Sequence, residues 1–262
     1  MDNKKYDLTN ETINVDGHIL YRIKALKDFG NVKAGDLGGY IEKEDNLSHN
    51  GNCWVYNNAI VYCNARICDD AIVRNNAEVY GNAGVCGDAK VFGDAEVYGG
   101  ARIYDNAKVF GAAMIYDDAK VYYDAKVYDN ARVFGDAWVH GNACVYDYAE
   151  VYDDAEVYDN AKVHGNAEIY GDAGVFGNAR LYNNAYVSNS NDCITIGPIG
   201  TREAHTTFYL NKDRNIYVSC GCFNGNISEF KEQVLETHKD NDLYREQYLL
   251  FIDTVKKYYK VD

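Results

Sequence analysis

Proline is almost missing from this chain: its 262 residues hold one, Pro198, beside 2 Met and 2 Trp. With so few fixed-φ positions, the chain must make its turns with other residues. No run of 18 apolar residues occurs, so no membrane-spanning helix is expected. The opening Met1-Asp2-Asn3-Lys4-Lys5-Tyr6 has no apolar signal region. Basic charge is also scarce, with 26 Lys and Arg against 40 Asp and Glu and a net charge of −14. The deficit is concentrated in residues 53–187, which carry 10 basic and 20 acidic side chains. Such a surface disfavours duplex DNA and anionic membranes, so neither nucleic acid nor membrane is expected as a partner. None of the eight cysteines forms a CxxC pair. They read as reduced thiols used as small packing residues in a cytoplasmic protein. Cys68 and Cys86 stand 18 residues apart, where a disulfide between adjacent coils is conceivable.

What is present is a six-residue phrase, as in Ala77-Glu78-Val79-Tyr80-Gly81-Asn82, repeated without insertion or deletion. Alanine recurs every six residues from Ala59 to Ala185, 22 times, and two places after each stands Val, Ile or Leu. A fixed short period is the signature of a solenoid. Period-2 alternation puts Ala and Val on one side of a strand and the residues beside them on the other. The last two places are Gly, Asn or Asp nearly throughout, which suits a corner. Each hexad is therefore expected to be a short strand plus a turn.

The pattern resembles the hexapeptide repeat of left-handed parallel β-helices, from residue 47 to 187, with Leu47 and Cys53 taking the first alanine places. The resemblance implies a single-stranded, all-β solenoid with three hexads to a triangular coil. Residues 47–187 then make about 8 coils and a prism about 38 Å long. Open ends of a parallel solenoid need covers. The expected organisation is an N-terminal β cap over 1–46, the β-helix over 47–190, and a C-terminal α+β domain over 191–262. In the last, strands are expected at Cys193-Ile194-Thr195-Ile196, Thr207-Phe208-Tyr209-Leu210 and Ile216-Tyr217-Val218-Ser219. One helix follows Asn226, with Glu229 at capping-box spacing and Phe230, Val234 and Leu235 on one face. A second, from about Asp242 to Lys260, carries Leu243, Leu249, Leu250, Ile252, Val255 and Tyr258. The layout is also similar to the YdcK-like β-helix proteins of bacteria and phages. Leu20-Tyr21-Arg22-Ile23, Gly38-Gly39-Tyr40-Ile41, Gly51-Asn52-Cys53-Trp54 and Gly197-Pro198-Ile199-Gly200 carry that likeness. It implies no established activity, and a transferase label in such a group follows from fold alone.

Positions 18 apart form ladders on the outside. Tyr62, Tyr80, Tyr98, Tyr116, Phe134, Tyr152 and Tyr170 make an aromatic row, and Glu78, Glu96, Glu150 and Glu168 run beside it with Met114 and Arg132. A second face carries Lys90, Lys108, Lys126, Lys162 and Arg180 beside Phe92, Phe110, Tyr128, Tyr146, His164 and Tyr182. The third is mixed, with Arg102, Lys120, Trp138 and Glu156. Stacked aromatics and charged rows stabilise and solubilise a sheet in their own right. A Tyr row of this length also suits a contact surface, covered by another protein or by self-association into a homotrimer or dimer.

Little here points to catalysis. His140 and His164, the candidate bases for an acetyl-CoA-dependent, trimeric hexapeptide acyltransferase, fall on different faces with no loop beside them. The six histidines show no zinc-ligand spacing, so no metal and no cofactor are expected. Gly197, Gly200, Arg202, His205, Cys220 and Cys222 are the weaker candidates for a small-molecule site. An acidic mimic of nucleic acid is a further alternative, but one charge per about 3.8 Å is sparse beside one per about 1.7 Å in duplex DNA. The sequence reads as a capped β-helix that works by binding, as an accessory protein of a phage or bacterium.

Overall fold

The computed structural model describes residues 4–200 and 202–261. From Trp54 to Leu181 each hexad forms a short strand and a corner, the strand being two residues long, as in Glu78–Val79, except at Glu168–Asp172. Strands 18 residues apart pair in parallel, as Glu78 with Glu96 and Lys90 with Lys108. Three parallel stacks result, one per face of the prism. The chain is thus a parallel β-solenoid of about 8 coils.

The interior is a column of Ala, Val and Ile, with Leu181, from Ala59 to Val187, each essentially inaccessible to solvent. Leu47 and Cys53 fill the first alanine places and are equally buried. Corner residues from Asn57 to Asn183 all have φ near +60°. Among these 22 corners only Cys63 and Tyr123 are neither Gly, Asn nor Asp. The rule has a steric cause, because a Cβ resists this left-handed conformation unless a short polar side chain offsets the strain.

Three N–H groups of a hexad donate to carbonyls of the next coil. Glu78 bonds to Ala95, Tyr80 to Val97 and Asn82 to Gly99, at 2.9, 3.0 and 2.6 Å. For these positions the first coil presents unpaired carbonyls and the last presents unpaired N–H groups. The two caps answer with opposite chemistry. At the start, donors arrive: Tyr6 Oη reaches the Leu47 carbonyl at 2.7 Å, Asn46 Nδ2 that of Ala65 at 2.8 Å, and Lys5 Nζ that of Cys53 at 2.8 Å. At the end, acceptors arrive: Thr207 Oγ1 takes the Arg180 N–H, Ser190 Oγ that of Gly174, and Asp192 Oδ2 that of Ser188. Lys5 is only 1% exposed, and burial pulls its pKa below the ordinary lysine value.

Strands β1 (Tyr6–Val15) and β2 (His18–Ala25) form an antiparallel hairpin, and β2 pairs with β3 (Leu37–Ile41). β3 then pairs in parallel with the first rung of the Tyr/Glu face, so cap and prism share one sheet. β1 has no counterpart in the sequence reading, since its Asp7, Thr9, Asn10 and Glu11 leave the apolar alternation weak on a largely solvated strand. After the prism, Cys193–Ile199, Ala204–Leu210, Ile216–Cys220 and Phe223–Asn226 make a four-stranded antiparallel sheet. Helices α1 (Ile227–Thr237) and α2 (Asp242–Tyr259) pack on it. Asn226 and Glu229 form the expected capping box.

Two expectations need correcting. Leu235, Leu243, Leu250 and Tyr258 are exposed, because Phe230 and Val234 of α1 and Tyr248, Ile252 and Val255 of α2 form the inward stripes. Cys68 and Cys86 are joined as a disulfide, while the other six cysteines remain free. The parallel register brings their Cα atoms to 4.8 Å, within bridging range. In the same ladder of the third face, the pair is followed by the stacked Tyr104 and Tyr122.

Replacing Lys5 by Met keeps the apolar stem but leaves the Cys53 and Gly51 carbonyls without their donor. The expected cost is about 1–3 kcal/mol, read as a lower denaturant midpoint in equilibrium unfolding.

Candidate functional site

Three regions gather polar and aromatic side chains on this scaffold. The first is the Tyr/Glu face. Its rings stack nearly parallel on successive rungs, with centroids 4.9 Å apart for Tyr80 and Tyr98, 5.0 Å for Tyr98 and Tyr116, and 4.8 Å for Tyr116 and Phe134. The stack continues through Tyr152 to Tyr170. The spacing is the rung spacing, so the sheet itself sets the ladder. Tyr62 begins the row but lies under the cap, packed with Leu20 and Tyr40 and 5% exposed. Glu78 and Glu96 stand side by side in register, and desolvation followed by Glu96 raises the Glu78 pKa. Tyr80 and Tyr152 point hydroxyls at Glu96 and Glu168, at 3.5 and 3.4 Å. Desolvation and these carboxylates raise both phenol pKa values, so the row offers neutral hydroxyls beside negative charge. Arg132 interrupts the acid row and pairs with Glu150 at 3.3 Å.

The second region is a groove of about 1260 Å³ along the third face. Arg66, Arg102, Lys120, Tyr104 and Trp138 line it beside the Cys68–Cys86 bridge. Lys120 Nζ sits 4.4 Å from the Trp138 ring centroid. The sequence reading found this face merely mixed, because a groove depends on small Gly84 standing among long neighbours in adjacent coils. Below it, His140 Nε2 lies 2.6 Å from Glu156 Oε1. Its ring is sandwiched between Tyr122 and Tyr158, at 4.7 and 5.3 Å. His164 belongs to the Lys face, stacked 4.5 Å from Tyr146 and edge-on to Tyr182. The two imidazoles therefore lie on different sheets and are held as members of ring stacks.

The third region is a pocket of about 470 Å³ between the C-terminal sheet and the helices, a size ordinary for small ligands. Gly200, Arg202, Cys220 and Cys222 line it with Phe223, Phe230, His238 and Tyr248. Gly197 and His205 do not; His205 Nε2 instead meets Asn178 Nδ2 at 3.3 Å. The Tyr248 hydroxyl lies 3.9 Å from Cys220 Sγ, and burial raises its pKa. A Cβ at Gly200 would come within 2.8 Å of that hydroxyl, so glycine there keeps the pocket wall open.

Sequence reasoning missed a further cluster, His18, Glu42 and Cys63, which meet where the cap joins the prism. Their separations of 24 and 21 residues are not multiples of the 18-residue coil, so no ladder joins them. The available signal was Cys63 itself, standing at a corner where Gly, Asn or Asp is the rule.

Burial lowers the His164 pKa, outweighing the opposing pull of Asp147 at 3.4 Å. With the folded value below the unfolded one, the unfolded state binds the proton first. Stability from this group is lost as pH falls below about 6.5. Thermal unfolding of the wild type is expected to drop more between about pH 7.5 and about pH 5 than that of His164→Phe.

Comparison with known proteins fits this geometry. A family model described as the YdcK β-solenoid repeat matches residues 125–141. A stretch of 45 residues, 17% of this chain, is 47% identical to a protein named uncharacterized acetyltransferase YdcK from Escherichia coli (strain K12). The match spans 14% of that protein's length. The chain is a β-solenoid of about 8 coils that is similar to YdcK over these short stretches of the repeat.

Proposed function

We propose that the protein is a rigid, non-catalytic scaffold that binds another protein through its Tyr/Glu face. The observation that carries this reading is the continuous stack from Tyr80 to Tyr170, half-exposed and flanked by Glu78, Glu96, Glu150 and Glu168. Stacked rings need no further ordering on binding, so their edges and hydroxyls form a preorganised surface. The partner that suits it is basic, since a cation beside Glu78 and Glu96 would relieve their mutual repulsion. Two features support binding over catalysis. No loop emerges between Ala59 and Val187 to carry a site, and both prism histidines are locked inside ring stacks. Changing Tyr80, Tyr98 and Tyr116 together to Ser is expected to abolish capture of a cross-linked partner by the full-length protein. Capture that stays unchanged overturns this face as the contact.

A second reading, acetyl transfer, draws on the name of the Escherichia coli relative. The observation that favours it is the third-face groove, where Arg66, Arg102 and Lys120 could receive the phosphates of acetyl-CoA and Trp138 its adenine. His140 beside Glu156 would be the base. This reading expects acetyl-CoA binding by calorimetry that weakens at least about tenfold in Arg102→Ala, the loss of one charge-assisted contact. No heat from the wild type overturns it.

A further inference from the structure

We propose that Cys63 is a nucleophilic thiol that takes up an acyl group, with His18 as its general base and Glu42 holding the imidazole in place. The proposal is independent of the Tyr/Glu face as a contact surface.

Three segments deliver the three groups. His18 opens β2, directly after the Asp16-Gly17 turn of the hairpin. Glu42 follows the last residue of β3. Cys63 is the corner after the first rung of the Tyr/Glu face. His18 Nδ1 lies 2.8 Å from Glu42 Oε1. An ionised carboxylate only accepts, so Nδ1 carries the hydrogen of this bond and Nε2 is left as the basic nitrogen. Nε2 faces Cys63 Sγ at 3.8 Å, a range that tightens readily once a substrate is seated. The second oxygen of Glu42 accepts the Cys63 backbone N–H at 2.6 Å. The Glu42 carboxyl is held below the ordinary glutamate pKa, by the His18 contact first and this N–H in support. One carboxylate therefore orients the base and fixes the backbone of the thiol-bearing residue. Asn46 Nδ2 holds the Cys63 carbonyl from the other side at 3.2 Å. Nucleophile, base and orienting acid in this order are the arrangement that activates a thiol.

The backbone adds an independent argument. Cys63 has φ +57°, in the left-handed corner conformation. Of the other 21 corners, twenty use Gly, Asn or Asp, which tolerate that conformation best. A cysteine kept there in a conformation it resists is held by its surroundings, as strained residues at reactive sites are. The cysteine is half-buried against the small apolar cluster of Leu20, Tyr40, Ile60 and Tyr62, with Ile13, Val15 and Tyr80 alongside. That wall suits the hydrocarbon of a small acyl group.

The class of co-substrate is an acyl thioester. As Sγ adds to the thioester carbonyl, its proton passes to His18 Nε2. The tetrahedral adduct collapses, the bond to the departing sulfur breaks, and that sulfur leaves with the proton from Nε2. The products are S-acyl-Cys63 and a free thiol, with no oxidant or reductant needed.

The test treats the full-length protein with the acetyl thioester of N-acetylcysteamine at neutral pH and follows acetylation of each cysteine by peptide mass spectrometry. Cys222, free and exposed, is the internal reference. Cys63 is expected to acetylate at least about tenfold faster than Cys222, a modest share of what a positioned base supplies. His18→Asn should bring Cys63 down to the Cys222 rate, and Glu42→Gln should lower it by a smaller factor, with circular dichroism reporting that the fold persists. A wild-type Cys63 no faster than Cys222 overturns the proposal without reference to any variant. So does a folded His18→Asn protein whose rate ratio is unchanged. A Cys63 rate that rises after chelator treatment would mark the thiol as a metal ligand and overturn it as well.

Discussion

The hydrogen bonding between successive coils is the constraint on which the rest of this molecule depends. It fixes the repeat at 18 residues, because a slip would break all three faces at once. It also makes the prism directional. Each hexad's outgoing N–H groups bind the next coil, so carbonyls are left at the first coil and N–H groups at the last. An apolar plug alone would leave those groups buried and unpaired, a penalty repeated at each corner. Tyr6, Asn46 and Lys5 at one end, with Thr207, Ser190 and Asp192 at the other, meet that requirement with donors and acceptors respectively. The caps are thus chemically distinct from one another and suited to different ends.

The same constraint governs what the surface can do. Residues on one ladder are held one rung apart, so a repeated side chain becomes a row. Tyr becomes a ring stack, Lys a line of like charge, and two cysteines a bridge. Rows are good for extended contact and poor for converging three different groups on one atom. Unlike side chains converge more readily where the regularity ends. The C-terminal pocket lies beyond the last coil, and His18, Glu42 and Cys63 meet at the seam with the first.

The prism was legible in the sequence because its signal is repeated 22 times and each position has one physical role. Ala95 and Val97 are buried, Glu96 and Tyr98 face outward, and Gly99 turns. The capping box at Asn226 was equally readable, being local. Strand β1 was not, since a solvated strand of Asp, Thr, Asn and Glu lacks apolar alternation. The helix faces were read only in part, because α2 offers two apolar stripes and the sheet beneath selects Tyr248, Ile252 and Val255 over Leu243 and Leu250. Of the residues singled out at the C-terminal end, Gly200, Arg202, Cys220 and Cys222 share a pocket wall and His205 turns away to Asn178.

The sequence alone determined the coil, its core and its ladders, because those follow from period and side-chain size, which are local properties. Only the tertiary structure decided which chemistry closes each end, that Tyr62 is covered while Tyr80 is half-exposed, that Cys68 and Cys86 are bridged, and that a histidine, a glutamate and a cysteine from three segments meet. Those outcomes rest on contacts between segments far apart in the chain, and a repeat fixes the position of each rung without saying what the non-repeating ends will lay against it.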